Sequence, residues 1–290
     1  LETSETTIRN GNGKSLEEYK MRYPQRIVCL TTEPTEVLYL LGEQDRIVGI
    51  SGFTTRPAIA RKEKPKIAAF TSAKIDKILA LNPDLVIGFS NLQADIAASL
   101  IRAGVEVHIF NQRSIAQMLS MVATVGSLVG ASDKAAKLID ELEQTIEQAK
   151  LTATQLPVKP TIYFEEWNDP IICSIKWASE LIEMAGGIDC FPELSQFHSA
   201  KDRTIQASQV IERQPDIIIG SWCGKKFQPE QVIAREGWNT IPAIKNGFIF
   251  EIKSADILQP GPSLITHGLK QVQSIIQQWA SAQPHHKLGN

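Results

Sequence analysis

Residues 74–90, KIDKILALNPDLVIGFS, and residues 206–222, QASQVIERQPDIIIGSW, share one pattern: a helix-like stretch, a Pro-Asp turn, three apolar residues and a glycine. Pro83 matches Pro215, Asp84 matches Asp216 and Gly88 matches Gly220, each pair 132 residues apart (215 − 83 = 132). Proline ends a helix because it lacks an N–H and its ring clashes with the preceding turn. Three consecutive apolar residues without alternation describe a strand buried on both faces, as in a parallel sheet. Two such junctions in one chain predict two similar α/β lobes, with Gly88 and Gly220 at the carboxyl ends of equivalent strands. In open α/β sheets that edge is where ligands bind. Helix-Pro-Asp-strand is also a common βα junction in its own right, so the pattern around it has to support the duplication.

The surrounding sequence does so. From Arg26 onward, strand-like runs (RIVCL, IVGIS, DLVIGFS, VEVHIF) alternate with helix-like stretches (TEVLYLLG, KIDKILALN, ADIAASLIRAG, SIAQMLSMVATVGSLVG), which predicts βα units on a parallel sheet over residues 26–130. Residues 131–156 follow as a single helix with Ser132 as N-cap candidate and Ala136, Leu138, Ile139, Leu142 and Ile146 at helical spacing. No Gly or Pro interrupts it before Pro157, so it reads as a rigid connector. A second α/β lobe spans residues 157–282, from TIYFEEW to a terminal helix around SLITHGLKQVQSIIQQWA. A polar extension, residues 1–25, and a polar tail, residues 283–290, flank the two. The length of 290 residues suits two domains of ordinary size.

Composition removes several classes. Thirty Lys and Arg against 32 Asp and Glu leave a formal charge of −2, so no overall field draws the chain onto nucleic acid. Runs such as Leu85–Ile87 and Ile217–Ile219 are strand-sized, far below the roughly 20 apolar residues of a membrane helix. Residues 1–25 hold no apolar core followed by a small-residue cleavage site. Two explanations stay open: a leader removed before this sequence begins, giving an extracytoplasmic protein, or a natural start at Met21, giving a cytoplasmic one. Cys29, Cys173, Cys190 and Cys223 are widely spaced, and Trp222-Cys223-Gly224-Lys225-Lys226 has Lys226 where a redox motif needs its second cysteine. The four are expected as small buried hydrophobes.

Catalytic signatures are missing. The sequence holds no phosphate loop, no dinucleotide-binding glycine motif after a strand, no H-E-x-x-H and no G-x-S-x-G elbow. His285 and His286 lie in the tail, His108 sits inside an apolar strand as a packed or edge residue, and His198 and His267 are far apart. Glu165 and Glu166 end the strand TIYFEEW, but adjacent strand residues face opposite ways, so at most one would serve a given pocket as a base.

The strand ends instead carry aromatics. Phe53 follows IVGIS, Phe70 precedes a helix, Phe89 follows Gly88, Trp167 ends TIYFEEW, Trp177 lies in the next loop, and Trp222 follows Gly220-Ser221. Aromatics on loops at one sheet edge offer flat surfaces for a large, partly apolar ligand. Trp167 and Trp222 stand beyond their strands, where core packing is expected to have ended. Arg56 opens a basic stretch running to Lys66 and is placed to reach an anionic ligand group, as are Lys225 and Lys226.

RIVCLTTEPTEVLYLLG, KIDKILALNPDLVIGFS, LIRAGVEVHIF, the long central helix and SELIEMAGGIDCF together resemble the substrate-binding proteins of ABC importers for vitamin B12, haem and ferric siderophores, closest to the cobalamin-binding member. The resemblance runs from about Arg26 to Trp279 and is most specific at Thr32–Glu36, residues 80–87 and Ala185-Gly186-Gly187. It implies a class III periplasmic binding protein fold, two Rossmann-like lobes joined by one rigid helix, with the ligand in a cleft between them. It also implies that Phe53, Phe70 and Phe89 take the positions that clamp a corrin ring, with Trp167 in the neighbouring loop of the second lobe. Segment KDRTIQ, residues 201–206, carries no tryptophan where the cobalamin binder has one.

Family members dock on their transporter through one acidic residue per lobe, which pairs with arginines of the membrane subunits. The first position falls on Asp76 and the second on Ser208, with Glu212 one helical turn later as the alternative acid. The resulting expectation is a monomeric, non-enzymatic protein that captures a corrinoid or similar chelate for an ABC importer. No intrinsic cofactor and no protein-ligated metal are expected, since any metal arrives within the ligand. The alternatives are a cytoplasmic corrinoid carrier or sensor, a haem or ferric-siderophore binder, and an enzyme using Glu165 or Glu166 as base.

Overall fold

The structure, a computed structural model, describes residues 22–283. Met21, His285 and His286 therefore lie outside the described residues, as does nearly all of the polar extension and tail. The chain divides into two compact α/β units, the first running to Gln112 and including Leu119–Ile139, the second comprising Arg113–Met118 and the chain from Asp140.

The first unit is a five-stranded sheet in the order β3-β2-β1-β4-β5. Its strands are β1 (Ile27–Cys29), β2 (Ile47–Ser51), β3 (Lys66–Ala68), β4 (Leu85–Phe89) and β5 (Val107–Phe110), and every pairing is parallel. The chain moves outward from β1 to β3 and returns on the other side of β1 as β4. The strand order thus reverses between β1 and β4, the crevice where open α/β sheets take their ligands. Ile27, Val28, Cys29, Val86 and Ile87 are fully buried. Each aliphatic side chain so removed from water contributes about 1.5–3 kcal/mol, enough to hold strands this short. His108 lies on the edge strand β5, half-buried with its ring 4.2 Å from that of Phe110, a packing role in keeping with its place in VEVHIF.

The second sheet runs β10-β9-β6-β7, with β8 also paired to β6. It comprises β6 (Thr161–Asn168), β7 (Ile171–Cys173), β8 (Ile188–Asp189), β9 (Ile217–Gly220) and β10 (Ile249–Glu251). β6 pairs in parallel with β8 and β9, but β7 folds back antiparallel, so this sheet is mixed where sequence pattern predicts only parallel strands. The hairpin follows from Asn168-Asp169-Pro170, a turn-forming step too short for a crossover. Trp177, expected in a loop, lies in the helix Lys176–Met184 that begins directly after the hairpin.

The matched junctions do the same work in both units. The Asp84 carboxylate accepts the backbone N–H groups of Gln25 and Arg26 at 2.7 and 2.9 Å, at the entry to β1. The Asp216 carboxylate accepts the N–H of Thr161 at 2.9 Å, at the first residue of β6. Each aspartate ties its own strand to the start of the central one. The residues before the prolines also match: Asn82 and Gln214 are both left-handed, at φ 44° and 45°, the conformation that commonly ends a helix.

The helix Ser132–Ala153 is unbroken over 22 residues. Its buried stripe is Ala135, Leu142, Ile146, Ala149 and Ala153, at helical spacing, whereas Ala136 is exposed. The division between the two units falls within this helix, after Ile139.

Candidate ligand-binding site

At the carboxyl edge of the first unit, β1 passes directly into the helix Thr32–Leu40, and β4 passes through Ser90 into a short turn of helix, Asn91–Gln93. Ser90 has φ 79° and ψ 149°, a region occupied almost only by glycine and costing on the order of 1–3 kcal/mol for other residues. Two hydrogen bonds hold it there: its N–H donates to the Phe110 carbonyl at 2.7 Å and its hydroxyl accepts the Leu92 N–H at 3.2 Å.

Gln93 is the organiser of this edge. Fully buried, it accepts the Phe89 N–H at 3.0 Å and donates its amide to the Phe70 carbonyl at 2.9 Å. One side chain therefore fixes the loop after β3 to the end of β4, and brings the Phe70 and Phe89 rings to 6.4 Å. Gly88 makes this possible, because a Cβ there would stand 2.4 Å from the Gln93 amide oxygen. Phe70 is half-buried and Phe89 only 5% exposed, so Phe70 offers the accessible ring of that pair. Phe53 is 53% exposed on the loop after β2. Arg61 braces that loop by donating to the carbonyls of Gly52 and Thr54. Arg56 is half-buried in the same stretch. Leu92, beyond β4, is also exposed and adds apolar surface. Close by in sequence, Glu33 is buried in the first turn of its helix, and burial pushes its carboxyl above the ordinary range.

The corresponding edge of the second unit is filled. The Glu165 carboxylate is fully buried and accepts two hydrogen bonds from the Arg235 guanidinium at 2.5 and 2.9 Å, one from the Tyr163 hydroxyl at 2.8 Å and one from the Trp222 indole at 3.0 Å. Burial, followed by the charge of Glu165, drives the Tyr163 hydroxyl well above its ordinary value, so it stays a donor. Trp222 is 1% exposed and packs edge-on against Phe227 at 5.0 Å. Core packing thus continues past β9, contrary to the sequence-based expectation, because Phe227 folds back over Gly220. A Cβ on Gly220 would fall 1.9 Å from that ring. Trp177 is likewise a core residue, 3% exposed, with its indole donating to the Ile257 carbonyl at 3.0 Å. Of the three tryptophans named from sequence, only Trp167 reaches the surface: it is half-buried, and its indole donates to the Asp169 carbonyl at 2.8 Å.

Glu166, next to Glu165, is ion-paired with the buried Arg203 at 2.5 Å. Both carboxylates considered as bases therefore sit against guanidinium groups that hold them as ion pairs. Cys29 and Cys173 are buried thiols pushed up to about 12 by burial, Cys190 is buried, and Cys223 is exposed. Among the described residues no group of three or more His, Cys, Asp or Glu side chains is arranged to hold a metal ion. No helix of the described residues is long and apolar enough to cross a membrane. Asp76 is exposed on the short helix Ile75–Leu79, and Ser208 and Glu212 are exposed on the helix Ala207–Arg213.

Gln93, Ser90, Arg61 and Arg235 escape a reading of sequence alone. Gly88 signals a close approach but not what approaches, and Arg235 stands 70 residues from its partner Glu165.

Residues 27–255 match the family model for periplasmic binding proteins. The chain is 25% identical over 252 residues to an uncharacterised ABC transporter substrate-binding lipoprotein, YvrC, of Bacillus subtilis, covering 83% of this chain and 77% of that protein. It is 25% identical over 244 residues to the vitamin B12-binding protein of Vibrio parahaemolyticus, covering 82% and 84%. Its fold matches the periplasmic haem-binding protein RhuT of Roseiflexus with a TM-score of 0.78 at 22% identity, over 88% of this chain and 99% of that one. With the two α/β units, the unbroken helix and the match over most of its length, the chain belongs to the periplasmic binding protein family and has the class III fold of that family.

Proposed function

We propose that this protein captures a large metal chelate, a corrinoid or a haem- or siderophore-like molecule, and delivers it to an ABC importer outside the cytoplasm. The observation that carries this reading is the aromatic edge of the first unit: exposed Phe53 and half-buried Phe70 on the loops after β2 and β3, with Phe70 pinned by Gln93 beside Phe89 at the end of β4. Flat apolar rings held on fixed backbone bind a broad, partly apolar ligand without an ordering cost. Nothing in that set performs proton transfer or nucleophilic chemistry, so the edge reads as a binding surface and not as a reaction centre. The named ligands of the relatives, vitamin B12 and haem, are both flat metal chelates, which supports the class.

On the second unit the ligand surface is Trp167. The metal comes with the ligand. Residues 131–156 connect the two lobes, and Asp76, with Ser208 or Glu212, is the docking pair for membrane subunits, a reading supported by the exposure of all three side chains. The test is equilibrium titration of the purified, ligand-stripped protein with cyanocobalamin, haemin and a ferric siderophore, read by tryptophan fluorescence and calorimetry. Saturable one-to-one binding of at least one of the three is expected. No binding of any would refute the reading.

A further inference from the structure

We propose that the ligand carries an anionic group and that Lys225 receives it; this rests on the chelate-binding reading above and narrows it. Lys225 lies in the loop after β9, where its N–H closes a turn onto the Trp222 carbonyl at 3.2 Å and Gly224 supplies the left-handed φ of 69°. The turn lays the lysine side chain across two indoles. Its ammonium is 4.9 Å from the centre of the Trp222 ring and 5.6 Å from that of Trp167. Its one hydrogen bond, 3.4 Å to the side-chain oxygen of Asn168, is long. Among the described residues no carboxylate pairs with it.

An exposed lysine ordinarily extends into water or meets an acid. Here the negative faces of two indoles hold the cation at a fixed place beside the only surface tryptophan of the edge. Glu165 and Glu166 are committed to Arg235 and Arg203, and the Asp169 carboxylate, beside Asn168, forms no ion pair with Lys225. Lys226, next in the chain, is exposed as well, so the loop carries two adjacent lysines outside any ion pair with a described carboxylate. A ligand that meets flat rings and a preplaced ammonium together is one with an apolar, planar body and a carboxylate, phosphate or catecholate arm. A charge-assisted hydrogen bond from Lys225 to that arm would be strong and direct.

The experiment titrates the full chain with two charged probes, haemin with its propionates and an anionic ferric tris-catecholate. It uses two probes without an anionic arm for comparison, dicyanocobinamide, a neutral corrinoid lacking the nucleotide phosphate, and a neutral ferric tris-hydroxamate. At least one charged probe is expected to bind tightest, with affinity falling as salt is raised. Lys225→Met, which keeps the stem over the indoles, is expected to lose about tenfold or more on that probe and to flatten its salt dependence. Lys225→Arg should retain most of the affinity. If an uncharged probe binds best, or if Lys225→Met binds the charged probe as tightly as the unaltered protein, this inference fails while chelate binding stands. If none of the four binds, the chelate reading fails and this inference with it.

Discussion

At the end of β4 a glycine makes room for an amide, and at the end of β9 the matching glycine makes room for a phenyl ring. Gly88 admits Gln93, which ties the end of β4 to the loop after β3 with two hydrogen bonds and leaves Phe70 half-buried, while Phe53 stands exposed on the loop after β2. Gly220 admits Phe227, which closes over the strand end and buries Trp222. The same junction of helix, Pro-Asp turn and strand therefore produces an edge that is polar beneath and aromatic above in one unit, and an edge packed solid in the other. A duplicated backbone thus sets where a binding surface can form, and the side chain that fills the space beside the glycine decides whether one does.

The largest expected effect breaks the packed edge. Arg235→Met leaves the Glu165 carboxylate buried without its guanidinium partner, a defect that costs about 3–5 kcal/mol. Denaturant unfolding should show that loss, and Glu165→Gln combined with Arg235→Met should recover part of it. An unchanged midpoint in Arg235→Met would show that the network does not hold the second unit together.

Next comes the contrast between the two glycines. Gly220→Ala meets a ring within 1.9 Å and should destabilise by roughly 1–3 kcal/mol or more through overpacking. Gly88→Ala meets side-chain ends instead of a ring, the Gln93 amide oxygen at 2.4 Å and Ile109 Cδ1 at 2.7 Å, and the amide can swing aside only by giving up its two hydrogen bonds, so the stability loss should be smaller than for Gly220→Ala. Its ligand affinity should fall nonetheless, because the swing releases Phe70. Equal stability losses and unaltered binding in Gly88→Ala would erase the difference drawn between the edges.

A smaller effect concerns Glu33. Burial raises its carboxyl above the ordinary value of 4.5, so its stabilising contribution is complete below that pH and is lost as pH rises through the raised value. Glu33→Gln removes the penalty of ionisation. The melting temperature of the variant relative to the unaltered protein should therefore climb between acid and neutral pH, by roughly a few degrees. Glu180 and Asp189, also raised by burial, remain in both proteins and cancel. A difference that is flat with pH would mean that Glu33 does not titrate in this range.

Much of this was legible in the chain itself. Pro83, Asp84 and Gly88, with their partners 132 residues later, mark two equivalent strands because turn chemistry and close approach are local constraints written in residue type. The connector helix is legible for the same reason, although its buried stripe passes through Ala135 and not Ala136. What escaped depends on contacts between distant segments. Trp222 reads as a surface residue because nothing near it in sequence shows that Phe227 returns across Gly220. The ion pair of Glu165 with Arg235 leaves no periodic signal at all. Phe53, by contrast, stands exposed on its loop as the strand-end position suggests.

The most direct test of the central claim is calorimetric titration of Phe53→Ala beside the unaltered protein, using whichever of cyanocobalamin, haemin or ferric siderophore the latter binds. Phe53 is 53% exposed, so its removal should leave the melting temperature unchanged while weakening the ligand by about tenfold, in line with the loss of one large aromatic contact. Identical affinity in the two proteins would contradict the assignment of the ligand surface to the aromatic edge of the first unit.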